Sequence, residues 1–431
     1  MSQYDRLDFS LAPHVLQIPP LQSERPLRIR LVNRVDLFGG AECVVQDQLH
    51  GFLACGHDAQ LFVGEKRGTD AAVFEISVNT TATQSARINL WVSALTDADV
   101  IHFHNLHGRY VDLEVIRELS RTKTVILTMH DQFLYTGGCV HVHGCRQWTS
   151  GCWQCPQLAT LPEGTKTADQ WNRKRHIWSS SRVHIVAPAR WIFERAQASI
   201  LNSDETIIHH IPNGVNTHLF TPRLRHAVKC RSEAFDNQIV LFTVAHNIRS
   251  NRSKDWGLLL SAIRWVAETV RIPVMLLVAG DSGEDITSSS VRIRFLGQIL
   301  DRAEMARYYS LSDIYIHASR AETFSLAILE AMACGCAIVA TDVGGVVEQL
   351  NPAGVDTPRR GLVTNVGDFV GLGNAILHLI HSPELRSELS QSASSHVIKE
   401  WSLDRHIESH LTLYRYGMLR TLEIPFPRLK S

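Results

Sequence analysis

From Pro26 onward, short runs of β-branched and other apolar residues alternate with stretches in which apolar positions recur every three or four residues. Compact apolar runs mark strands, the longer period marks helices, and their alternation is the pattern of parallel α/β sheets. In the first half strands are predicted at "LRIRLVN", "DAQLFV", "DVIHFHN", "TVILTMHD", "RVHIVAPA" and "TIIHHIPNG". In the second half they fall at "IVLFTVAH", "VMLLVAG", "RIRFLG", "IYIHAS", "AIVATD" and "GLVTNV". Each set reads as one open, doubly wound sheet. Ligands of such sheets bind beyond the carboxyl ends of the strands, so functional residues are expected in the loops that directly follow strands.

The periodicity also divides the chain. Residues 1–26 read as a loosely ordered arm and 27–211 as the first domain. The stretch 212–238, "PNGVNTHLFTPRLRHAVKCRSEAFDNQ", is polar with two prolines and little period, and reads as a linker. Residues 239–400 form the second domain, and 401–431 a tail whose helical, amphipathic pattern does not say where it packs.

A length of 431 residues suits two domains of roughly 200 residues each. With 45% hydrophobic and 20% charged residues, each half can build a core. Lys+Arg and Asp+Glu both number 43, so no overall basic field points to nucleic acid. The first 26 residues lack the basic start and apolar run of a secretory signal. No segment approaches the roughly 20 apolar residues of a membrane span. A cytoplasmic protein is expected, with peripheral attachment to the inner membrane face left open. Nine cysteines in a reducing compartment are expected to be thiols or metal ligands.

The chemistry concentrates in a few loops. In "ETFSLAILEAMACGCAIVATD" the acids Glu322 and Glu330 flank the start of an apolar helix, with Thr323 or Ser325 to cap it and Gly335 to stop it. A helix start offers the N–H groups of Phe324, Ser325 and Leu326 to an anion. Acidic acceptors beside such a start suit a ligand carrying both hydroxyls and phosphate; a solvated amphipathic helix is the plainer reading of the same spacing. The stretch "CVHVHGCRQWTSGCWQCPQ" crowds Cys139, Cys145, Cys152 and Cys155 into 17 residues. That is the ligand count of a structural zinc, with His141 and His143 in reserve, although two disulfides or free thiols fit the same residues. His102 and His104 of "IHFHNLHG" share one strand face, with His107 beyond, and are read as lining the cleft.

"AETFSLAILEAMACGCAIVATDVGGVVE" resembles the E-x7-E region of retaining glycosyltransferases with two Rossmann-like domains facing across a cleft, the GT-B fold of glycosyltransferase group 1. The resemblance covers roughly residues 28–400. It implies that Glu322 contacts the donor sugar and Glu330 the ribose hydroxyls of the nucleotide. In "VAHNIRSNRSKDW" it implies that Arg249 and Lys254 bind the diphosphate, and in "FLGQILDR" that the backbone near Gln298–Leu300 holds the base. Gly39 and Gly40 match a glycine loop near the donor phosphate, and His130 of "MHDQ" a histidine facing the donor sugar. Ser325 and His246 stand where the family has glycine.

The cysteine-rich insert is similar to that of a subgroup making colanic acid and other exopolysaccharides, and is expected to shape the acceptor side. The implied function is a retaining transferase moving a sugar from a nucleoside-diphosphate sugar to an oligosaccharide or lipid-linked acceptor. No cofactor is expected for catalysis, because Arg249, Lys254 and helix ends replace the metal of a D-x-D motif. The rivals are a nucleotide-sugar epimerase on the same fold, which needs no acceptor, and a non-catalytic nucleotide-sugar-binding protein.

Overall fold

A computed structural model describes residues 25–37, 39–77, 81–160, 164, 166–222, 238–352 and 357–423. Most of the predicted arm, most of the linker with Cys230, and the end of the tail lie outside the described residues.

The first half supplies β1 (Arg28–Val35), β2 (Asp58–Glu65), β3 (Val73–Glu75), β4 (Val100–Phe103), β5 (Thr124–Thr128), β6 (Val183–Ala187) and β7 (Thr206–His210). They form one parallel sheet in the order β3-β2-β1-β4-β5-β6-β7. The second half supplies β8 (Ile239–Val244), β9 (Val274–Ala279), β10 (Ile286–Ser288), β11 (Val291–Gly297), β12 (Ile314–His317), β13 (Ala337–Thr341) and β14 (Leu362–Thr364). Their order is β10-β11-β9-β8-β12-β13-β14, parallel except for the β10–β11 pair. The central strands β4, β5, β6, β9, β12 and β13 are buried at every position, because helices cover both faces of each sheet. That burial is why they read as continuous apolar runs. The two strands absent from the sequence reading, β3 and β10, are three-residue edge strands, too short to show a period.

Strand order reverses between β1 and β4 in the first sheet and between β8 and β12 in the second. The loops after these strands open a crevice in each sheet, and the two crevices face each other. The halves are also pinned beside the cleft. Glu348 accepts from the N–H groups of Arg190 and Trp191, both at 2.7 Å, so an acid of the second half caps the helix Arg190–Gln197 of the first. Trp191 Nε1 donates to the carbonyl of Thr323 at 2.9 Å.

The tail has a definite place. After the helix Pro383–Glu400, Trp401 and Leu403 pair with Val215, and the helix Leu403–Glu423 returns to the first sheet. There Ile407, Leu413 and Tyr414 join a core that contains Ile29, Leu31, Val45 and Phe52.

Candidate active site

A cavity of about 560 Å³ lies between the two halves. Gly39, Gly40, Glu42 and His130 line its first wall, and Lys254, Glu322, Phe324, Ser325, Leu326 and Glu330 its second. All but Glu330, on the second turn of its helix, lie in a loop after a strand or in the first turn of a helix, as the doubly wound topology requires.

Glu322 sits in the loop between β12 and the helix Leu326–Ala333. Its Oε2 lies 2.8 Å from Lys254 Nζ and 3.1 Å from His317 Nε2, and Lys254 also donates to Ser319 Oγ at 3.1 Å. Burial works against ionisation of Glu322, but the Lys254 ammonium and the His317 contact outweigh it and hold the carboxyl well below the usual range. Gly344 supports the loop from beneath: its φ is +51°, and a Cβ there would stand 1.9 Å from the Glu322 carbonyl oxygen.

Ser325 caps the helix start, its Oγ accepting from Ile328 N–H at 3.4 Å. Its own N–H is donated to Gln349 Oε1 at 3.1 Å, so of the three amides expected to meet an anion, that of Ser325 is already engaged. Glu330, on the second turn, is 8% exposed. Burial pushes its carboxyl upward, and Arg302, 3.2 Å away, opposes that shift.

His130 follows β5 and lines the cleft. Its Nε2 lies 2.9 Å from Nδ1 of His104, and burial lowers its pKa to about 4, so the ring is neutral at physiological pH. On the same wall, Gly39 keeps its place clear for an acid: a Cβ there would meet Glu42 Oε2 at 2.1 Å.

Several expectations change. Arg249 does not line the cavity; it is exposed, with Nε and Nη2 on the Asp281 carboxylate at 3.1 and 2.9 Å. The next strand end supplies an acid that draws the guanidinium aside. His102 and His104 are fully buried and do not line the cleft. His102 is held by Tyr414 Oη and Thr128 Oγ1, both at 2.7 Å, and His104 backs His130 from behind. The expected alternation on β4 holds, but the returning C-terminal helix covers that face. His107 pairs with Asp131 at 2.7 Å.

The four cysteines of the insert line one small cavity of about 10 Å³. Gly137 N–H donates to Cys152 Sγ at 3.2 Å and Gln147 N–H to Cys145 Sγ at 3.4 Å. None of the four is joined in a disulfide. Burial pushes Cys139 up to about 11 and raises Cys152 as well. Among the described residues, no three His, Cys, Asp or Glu side chains are gathered as a ready set of metal ligands.

Sequence reasoning missed Glu42, Arg302, His317 and Ser319. Arg302 and Glu42 begin helices after loops and could have been sought there; His317 and Ser319 lie within a strand reading and carry no separate signal.

Residues 238–382 match the family described as glycosyl transferases group 1. The chain is 29% identical over 157 residues to N-acetyl-alpha-D-glucosaminyl L-malate synthase of Bacillus anthracis, covering 35% of this chain and 39% of that protein. It is 24% identical over 292 residues to the putative colanic acid biosynthesis glycosyl transferase WcaC of Escherichia coli K12, covering 60% and 63%. It thus spans about two fifths of the first relative and about three fifths of the second. Among solved structures, HepE of Anabaena in complex with UDP and glucose superposes with a TM-score of 0.66 at 15% identity, over 90% of this chain and 99% of that one. The fold is therefore GT-B, two Rossmann-like parallel-sheet domains facing across a cleft, and the match to glycosyl transferases group 1 falls on the second of them.

Proposed function

We propose that this protein is a retaining glycosyltransferase that moves a sugar from a nucleoside-diphosphate sugar to an oligosaccharide or lipid-linked acceptor in surface polysaccharide assembly. The observation that carries the reading is the second wall of the cleft. The Lys254–Glu322 pair, the helix start at Phe324–Leu326 and Glu330 stand together there, in a segment matching glycosyl transferases group 1. The polysaccharide context is supported by the likeness to WcaC, named for colanic acid biosynthesis.

On this reading Glu330 accepts from the ribose hydroxyls, and the helix start and Lys254 meet the diphosphate. Arg249 reaches the same phosphates by leaving Asp281, an exposed pairing of the kind that costs little to break. Glu322, kept ionised by Lys254, accepts from hydroxyls of the donor sugar. In the reaction the bond from the anomeric carbon to the β-phosphate oxygen breaks and the acceptor oxygen bonds to that carbon on the same face. The leaving phosphate takes the acceptor proton. The protein supplies position and cationic stabilisation of the departing diphosphate. His130, neutral and on the opposite wall, is a hydrogen-bonding partner for the sugar. The insert beside it borders the acceptor side.

The test is a thermal-shift screen against UDP, GDP, ADP and CMP, then the corresponding sugar nucleotides. A ligand that binds only the folded state raises the melting temperature. The expected result is a rise with one nucleoside diphosphate that Glu330→Ala abolishes. No rise with any of them, or an equal rise in the variant, removes the reading. Retention is checked by NMR of the freshly formed product, whose anomeric configuration should match the donor.

A further inference from the structure

Glu330 is tied into a three-residue network. Its Oε1 accepts from Arg302 Nη2 at 3.2 Å, while Nη1 of the same guanidinium pairs with Oδ1 of Asp47. Arg302 opens the helix Arg302–Leu311 in the second half; Asp47 belongs to the helix Gly40–Ala54 in the first. The guanidinium lies over the Phe220 ring, 5.2 Å from its centroid, which fixes its plane. The side chains of Arg302, Asp47 and Glu330 are only 27%, 13% and 11% exposed. Arg302 and Glu330 line the cleft, whereas Asp47 does not.

How the guanidinium is divided decides what Glu330 can do. An arginine facing one carboxylate ordinarily engages both of its oxygens with a two-pronged fork. Here each carboxylate receives a single nitrogen. Asp47 Oδ2 and Arg302 Nε are both buried without a hydrogen-bond partner, so the fork is not closed on Asp47. On the other side Glu330 gives up Oε1 alone. Its second oxygen takes nothing from the guanidinium; the buried Tyr309 hydroxyl lies near the carboxylate without closing a hydrogen bond to it, and Arg302 and Tyr309 both favour the ionised form against the cost of burial.

We propose that Asp47 is a positioning residue for the donor nucleotide. By holding one arm of Arg302 it keeps the guanidinium off the second oxygen of Glu330, which stays open to the vicinal hydroxyls of a ribose. This rests on the reading of Glu330 as the ribose acceptor. Because Asp47 and Glu330 come from opposite halves, the ribose site is complete only when the halves stand against each other as they do here. Without Asp47, the fork turns onto Glu330 and occupies both of its oxygens.

The experiment is calorimetric titration of the full chain with UDP and GDP and with the 2′-deoxy form of each. In the wild type the ribonucleotide that binds should be preferred over its deoxy form by about tenfold, the worth of one charge-assisted hydrogen bond. Asp47→Ala should collapse that ratio to within about twofold, chiefly through weaker ribonucleotide binding, and Asp47→Glu should restore part of it. If Asp47→Ala does not melt cooperatively, Asp47→Asn, which keeps the shape and removes the charge, carries the same expectation. An undiminished ribo-to-deoxy ratio in a folded Asp47 variant overturns the proposal. Failure of the wild type to bind either of these, or ADP or CMP titrated in the same way, overturns the nucleotide reading itself, and this inference falls with it.

Discussion

At the scale of single residues, the cleft separates cations by how they are held. Lys254 faces the cavity and is bound to a half-buried carboxylate; Arg249 is exposed and paired with Asp281 outside it. Removing the charge that already faces the ligand should therefore cost more than removing one that must first change partners. Lys254→Ala should weaken nucleoside-diphosphate binding about tenfold or more, the scale of one charged hydrogen bond, and Arg249→Ala by only about threefold. Titration calorimetry of both variants decides, and equal losses would show that leaving Asp281 costs Arg249 nothing on binding. Glu322→Ala should lower turnover about a hundredfold while changing affinity for the free diphosphate far less, because its proposed partner is the sugar. A variant with unchanged kcat would remove Glu322 from the chemistry. The acids at 322 and 330 were legible as a pair because an apolar helix start leaves them conspicuous. Lys254 and Arg302 were not legible as partners, since 68 and 28 residues separate them from the acids they meet, and His317, five residues from Glu322, read as one more strand position.

At the scale of elements, the insert between β5 and the helix Thr167–Trp178 is a small unit built around thiols and indoles. Trp171 Nε1 donates to the Trp148 carbonyl at 2.8 Å, and Thr167 Oγ1 to the Cys152 carbonyl at 2.7 Å. Positive φ values at Gly138, His143, Gly144, Gly151 and Cys152 let the chain fold back repeatedly so that four distant thiols reach one cavity. Serine at both Cys152 and Cys155 puts hydroxyls where thiols line an apolar space, and should lower folding stability by about 1–3 kcal/mol. The expectation of a structural zinc, raised by the ligand count, is checked by elemental analysis of the purified chain. One equivalent that disappears in the double variant supports it, and its absence from the wild type removes it. The strand and helix pattern of both halves was readable because parallel sheets bury their central strands on both faces. The turns of the insert were not, because their shape comes from left-handed backbone at residues other than glycine as well as at glycine.

At the scale of the whole molecule, the C-terminal helix Leu403–Glu423 decides the environment of the first sheet. It brings His406 and His410 against Gln48, at 2.9 and 3.4 Å, and Tyr414 against His102. His102, His104, His406 and His410 are buried and form a continuous group with the partly buried His130 at the cleft, with ring centroids 4.1 to 5.4 Å apart along it. Burial lowers all five, His130 and His406 to about 4. In the unfolded chain these groups titrate near 6.5. Between about pH 4 and 6.5 the unfolded chain therefore binds more protons than the folded one, so stability rises with pH through this window and is lost on acidification. The melting temperature should fall steeply from pH 6.5 to 5, and His406→Gln should reduce that slope. A melting temperature flat across the window would contradict the buried neutral cluster. Amide-exchange protection of residues 403–423, taken relative to the intrinsic rate at each pH, should fall as the pH drops through the same range, since undocking the helix is the least costly way to hydrate the imidazoles.

The amino-acid sequence by itself determined the two parallel sheets, the loops that carry the cleft residues and the place of Glu322 and Glu330 at a helix start. These depend on local period and on chain direction, which are written in consecutive residues. Tertiary structure alone decided that Arg249 turns to Asp281, that His104 stands behind His130 and that the last helix closes over the first sheet. It also decided that Arg302 is shared between Asp47 and Glu330. Each of these joins side chains far apart in the chain, and the choice among partners is set by burial and charge at their meeting point, which no local pattern records.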